Sequence, residues 1–126
     1  MEICSSAPIK SYRDLIAWRK AMDLVLEIYR ATREFPQVET YGIISQLRRA
    51  AVAIPSKIAE GHERLSTGDY RQFLGHALGS LMEIETQIRI AEELNYLEKD
   101  KSAALLERTS ELGKILNGLL RSLRCR

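Results

Sequence analysis

The chain has 126 residues and a formal net charge of +2, with 45% hydrophobic, 29% charged and 6% aromatic residues. That length supports one domain with a core of its own, and the small net charge excludes a nucleic-acid or membrane binder recognisable from bulk charge. Ala, Leu, Glu, Lys and Arg fill about half of the positions against three Val, a balance that favours long helices over the strands of a sandwich or barrel.

Residues 1–11 carry Glu2 and no apolar run of about seven. They read as a flexible lead without a secretory signal, followed by one domain over 12–126. No apolar run approaches a membrane span, and a cytoplasmic protein is expected. Cys4 and Cys125 stand at opposite ends of the sequence, without CxxC or Cys/His spacing. They read as free thiols, or as a pair formed under oxidation if a bundle brings the termini together.

From about Tyr12 to Glu34, Leu15, Trp18, Met22, Val25, Ile28, Tyr29 and Thr32 recur at helical spacing and predict the buried face of a first helix. Phe35-Pro36 ends it, because proline disfavours helical backbone in itself and in the residue before it. From about Val38 to Gly61, Ile43, Leu47, Ala50/Ala51, Ile54 and Ile58 keep helical phase across Pro55. The reading is one Pro-kinked second helix rather than two helices, with Gly61 as a left-handed terminator. Its stretch from Ala50 to Ile54 is apolar all round, which predicts cover from beyond its own bundle, and Ala50, Val52 and Ala53 are the candidate interface residues.

Ser66-Thr67-Gly68-Asp69 reads as a capping box with Asp in the Glu position, opening a third helix. Its stripe is Tyr70, Phe73/Leu74, Ala77, Leu81, Ile84, Ile88 and Ala91. Gly75 and Gly79, four apart, predict a close approach by another helix, since each costs about 0.5–1 kcal/mol relative to alanine. Asn95-Tyr96 makes a short connection. Leu105/Leu106, Thr109, Leu112, Ile115/Leu116, Leu119/Leu120 and Leu123 then form a fourth stripe. Four helices with short links predict an all-α, antiparallel up-down-up-down four-helix bundle.

Neither His62 nor His76 has a Glu three residues before it, so the inward Glu-x-x-His pairs of a di-metal bundle are missing. His62 reads as a surface residue and His76 as a packed or interface histidine. Phosphate loops, nucleophile elbows and triad patterns are absent, and the expectation is a protein with no enzymatic activity, metal or cofactor. Basic residues are more informative. From Glu98 onward seven Lys/Arg face four acids, and Arg121, Arg124 and Arg126 suit either phosphate or the negative end of a helix. Arg48, Arg49 and Lys57 border the apolar stretch of the second helix, where arginine's planar fork suits a phosphate or a carboxylate of a neighbouring subunit.

Three segments carry a family resemblance: DLIAWRKAMDLVLEIYRATREFP, ETYGIISQLRRAAVAIPSKIAEGHERLS and YRQFLGHALGSLMEIETQI. Together they resemble the bacterial four-helix-bundle proteins called 23S rRNA intervening-sequence (S23-type) proteins, over about Tyr12 to Leu123. QLRRAA followed by AIPSKIAEG is the most specific part, with Ala53 and Lys57 standing where the family pattern has Ser and Asn. The resemblance implies a homopentameric ring. It extends to accessory proteins of diversity-generating retroelements, which work with a reverse transcriptase and nucleic acid, and it implies no catalysis.

The functional expectation is therefore a non-enzymatic oligomer associating with RNA or DNA as an accessory factor. Its nucleic-acid candidates are Arg48, Arg49, Lys57, Arg121, Arg124 and Arg126, and its interface candidates Ala50, Val52, Ala53, Gly75 and Gly79. The alternative is a protein-interaction scaffold that never touches nucleic acid, with no membrane involved in either.

Overall fold

The computed structural model describes residues 10–124. Cys4, Cys125 and Arg126, and with them the terminal thiol pair, lie outside the described residues.

Four helices make the fold: α1 (Ile16–Thr32), α2 (Ile43–His62), α3 (Thr67–Glu93) and α4 (Lys99–Leu123). A short 3-10 turn, Tyr12–Asp14, precedes α1, so the first helix starts later than its periodicity predicts. Ser11 sets that turn by a reciprocal cap. Its hydroxyl accepts from the Arg13 N–H at 3.1 Å, while the Asp14 carboxylate accepts from the Lys10 and Ser11 N–H groups at 3.2 and 3.3 Å. A second 3-10 turn, Gln37–Glu39, occupies the predicted first turn of α2, and the Glu39 carboxylate accepts from the Ile43 N–H at 3.3 Å. Ser66 opens α3 as expected, accepting from the Asp69 N–H at 3.0 Å.

Helix α2 runs through Pro55 as one helix. The ring is buried, so neighbouring side chains surround the turn whose backbone bond proline deletes. Gly61 departs from its expected role as a left-handed terminator. It lies inside α2, no described glycine has positive φ, and a Cβ there would sit 2.8 Å from Cβ of Phe73 and 3.0 Å from Cδ1 of Tyr70. Its missing side chain is what lets α2 and α3 close on each other. The left-handed residue of the chain's described part is Asn95, φ 64°, in the turn between α3 and α4.

Named contacts fix the topology. Arg48 of α2 reaches Tyr29 and Thr32 of α1, and Tyr12 shares a groove with Ala59, Glu63 and Arg64, so α1 and α2 run antiparallel. Gln87 Nε2 donates to Gln46 Oε1 at 3.2 Å at one end of the α2–α3 pair, and Gly61 meets Phe73 at the other. Ser102 donates to Glu92 at 2.7 Å and Gly113 lies against Leu81, which turns α4 back along α3. Lys20 and Glu111, 3.4 Å apart, close α4 onto α1.

The core follows the predicted stripes of α2, α3 and α4, with Leu47, Ile54, Ile58, Leu74, Leu81, Ile84, Ile88, Leu112 and Leu116 almost fully buried. The face of α1 is a correction. Its buried residues are Ala17, Ala21, Leu24, Ile28 and Thr32, whereas Met22 and Tyr29 from the predicted stripe are 37% and 38% exposed. Leu15, Trp18 and Val25 are half-buried. Two alanines bring α1 close to its neighbours beside buried Leu24 and Ile28, and Met22, Leu26 and Tyr29 are left on the flank.

Candidate functional site

The arginine pair of α2 divides on the helix surface. Arg48 leans across to α1, where its Nε donates to Thr32 Oγ1 at 2.9 Å and its Nη2 to the Tyr29 carbonyl at 3.3 Å. Its guanidinium carbon stands 4.5 Å from the centre of the Tyr29 ring. These contacts place the cation at the C-terminal end of α1, where the backbone dipole favours it, so Arg48 serves the fold of its own chain. Arg49, one residue on, is exposed and pairs with no described acid.

Lys57 lies about two turns further along α2. Its Nζ is 3.5 Å from Glu60 Oε1 and 5.5 Å from the centre of the Phe73 ring. Arg64 approaches the same ring at 4.7 Å, and His76, exposed, meets it edge-on at 6.1 Å. His62 is half-buried edge-on to Tyr70, 3.4 Å from Glu63. Arg121 and Arg124 are exposed on the last turns of α4. The predicted phosphate-binding residues thus form no single site: Arg48 and Arg49 belong to the end of the bundle where α1 finishes, Arg121 and Arg124 to the other.

The apolar stretch of α2 is narrower than its sequence implies. Ala50 is 5% exposed and Ala51 and Ile54 are fully buried, so the bundle itself takes up that side. What remains outside is Val52, 41% exposed, with half-buried Ala53 beside it. On α1, Met22, Leu26 and Tyr29 are 37%, 47% and 38% exposed, and Arg48, one turn before Val52, reaches Tyr29 across the α1–α2 seam. Val52 is among the interface candidates read from the sequence, whereas periodicity assigns Met22 and Tyr29 to the core stripe of α1 and does not single out Leu26. On the outer side of α3, a Cβ added at Gly75 or Gly79 would meet no atom of another part of the chain within 4 Å, and Met82, three residues beyond Gly79, is 53% exposed.

An open groove of about 820 Å³ runs between the second half of α1 and the α3–α4 turn, with Arg33, Glu34, Asn95, Lys99 and Arg108 in its wall. Both signs of charge line it. At its inner edge the Tyr96 hydroxyl donates to Glu39 Oε2 at 2.8 Å; that bond, and then burial beside the carboxylate, push the phenol pKa above its ordinary value. Among the described residues no group of three His, Cys, Asp or Glu could hold a metal ion, and no helix is long and apolar enough to cross a membrane.

No curated protein matches the chain. Among solved structures, a protein of unknown function from the S23 ribosomal protein family of Bacteroides thetaiotaomicron shares 17% sequence identity over 84% of this chain and 96% of its own, with a TM-score of 0.78. At that identity the likeness is one of fold, and it agrees with the four-helix bundle. The family model described as 23S rRNA-intervening sequence protein matches residues 13–118, from the turn before α1 to the last turns of α4. The chain belongs to the family of 23S rRNA-intervening sequence proteins.

Proposed function

We propose that the protein is a non-enzymatic, ring-forming homo-oligomer that associates with structured RNA or other nucleic acid as an accessory factor. The observation that carries the assembly is a pair of unlike exposed surfaces. One is the knobbed α1–α2 face of Met22, Leu26, Tyr29 and Val52; the other is the smooth outer side of α3, with Gly75, Gly79 and Met82. A ring is built from heterologous contacts, in which each subunit offers two different surfaces. Bulky side chains on one surface would suit bare backbone on the other, and exposed Met22, Leu26, Tyr29, Val52 and Met82 are side chains that a neighbouring subunit would cover.

The pentameric number rests on the family resemblance, as does a protein partner of the reverse-transcriptase kind. Nucleic-acid association is supported by the family's tie to ribosomal RNA genes and by avidity, since a ring multiplies a modest cationic surface by its number of subunits.

Native mass spectrometry at low micromolar concentration tests the assembly. Wild type is expected to give one closed oligomer, and Leu26→Asp and Met82→Asp, one on each face, are each expected to give monomers that keep their helical circular dichroism. A wild-type monomer would overturn the ring. Binding that is insensitive to salt, or confined to a protein partner, would replace the nucleic-acid reading by the scaffold reading, because phosphate contacts weaken steeply as salt rises.

A further inference from the structure

The bundle is electrically polar along its axis. Lys20–Glu111, Gly113–Leu81 and the α1–α2 and α2–α3 contacts place residues 22, 54, 80 and 113 near one cross-section. The end holding residues 10–22, 54–80 and 113–124 carries ten Lys/Arg against four Asp/Glu, and the opposite end carries eight against twelve. A chain of net charge +2 is thus a strongly basic end joined to an acidic one. No stretch of sequence shows this, because the ten basic residues come from the start of α1, the α2–α3 turn and the close of α4.

We infer that this basic end is the surface that meets nucleic-acid phosphate, with Arg13, Arg64, Arg71, Arg121 and Arg124 making the contacts. The inference rests on the nucleic-acid reading proposed above and assigns it a surface. Arg64, Arg71, Arg121 and Arg124 pair with no described acid, and Arg13 likewise has none within 4 Å. Two of the five are held ready by aromatic rings: Arg13 lies 5.7 Å from the centre of Tyr12 and Arg64 4.7 Å from that of Phe73. A guanidinium stacked on a ring keeps its edge N–H groups free to donate, and its planar fork matches two phosphate oxygens. Arginine outnumbers lysine among the ten, which favours phosphate over a diffuse acidic protein surface. The acidic end repels the same polyanion, so the molecule is oriented as well as attracted.

The test measures binding of a labelled 30-nucleotide poly(U) RNA, a labelled RNA hairpin of the same length, a 30-base-pair DNA duplex and vesicles containing one quarter anionic phospholipid. The proteins are wild type, a basic-end variant (Arg13→Gln, Arg64→Gln, Arg71→Gln, Arg121→Gln, Arg124→Gln) and an opposite-end variant (Arg33→Gln, Lys99→Gln, Lys101→Gln, Arg108→Gln). Circular dichroism and native mass spectrometry check fold and stoichiometry, and a second set limited to Arg121→Gln with Arg124→Gln is used if the fivefold variant loses its helices. The basic-end variant is expected to bind RNA at least about tenfold more weakly, with the log–log salt slope shallower by about 0.7 for each RNA phosphate that no longer meets an arginine; the opposite-end variant is expected to change less than twofold. Equal effects at both ends, or RNA binding untouched by either variant, would overturn the assignment and leave the nucleic-acid reading standing. Failure of wild type to bind any of the three polynucleotides would overturn both, and an effect of the basic-end variant confined to vesicles would overturn the assignment and redirect that end to a membrane surface.

Discussion

Gly75 and Gly79 illustrate how a single residue reads differently alone and in the fold. Each weakens a helix interior, and neither is crowded by its own chain. Gly75→Ala and Gly79→Ala are therefore expected to raise the thermal stability of the isolated subunit, by about 0.5–1 kcal/mol each. If a neighbouring subunit lies against that backbone, the same changes weaken the oligomer. Calorimetry beside native mass spectrometry separates the two effects, and alanines that leave assembly unchanged would remove these glycines from the interface. Gly61 sits at the opposite extreme. Its Cβ would fall against Phe73 and Tyr70, so Gly61→Ala is expected to destabilise the fold by about 1–3 kcal/mol, read as a lower denaturation midpoint at unchanged slope.

At the scale of elements, the end of the bundle where α1 finishes is tied together by few groups. Glu39 accepts from the first turn of α2 and from Tyr96 after α3, while Phe35 packs on the Tyr96 ring at 5.6 Å between centres. Because the bond to Glu39 favours the protonated phenol, the folded-state pKa lies above the ordinary 10.0. The stabilisation is fully present below pH 10 and is lost as pH rises through the higher folded value, since the unfolded chain gives up its proton first. Tyr96→Phe is expected to lower the melting temperature at pH 8 and to flatten its decline above about pH 10 relative to wild type; parallel declines would deny the bond that role. The helices themselves are legible from spacing, and so are the buried stripes of α2, α3 and α4. The stripe of α1 misleads, because Ala17 and Ala21 carry little hydrophobic signal yet are buried with Leu24 and Ile28, while Met22 and Tyr29 supply the signal from the flank.

For the whole molecule, the decisive property is how charge and apolar surface are shared out once the helices alternate in direction. Reversal of the chain at each turn collects Arg13, Arg64, Arg71, Arg121 and Arg124 at one end and Glu34, Glu92, Glu98 and Asp100 near the other. The same alternation puts Arg48 and Arg49 at the end of the bundle opposite the α4 arginines.

Helix number, approximate helix limits, family membership and most of the core can be read along the chain alone, because periodicity and capping are local properties of a helix. Only the packed bundle settles which apolar residues stay outside, that Arg48 turns inward to α1, and that a nearly neutral chain has a basic end. Those outcomes depend on which helix lies beside which and in what direction, and such neighbours are brought together from positions far apart along the chain.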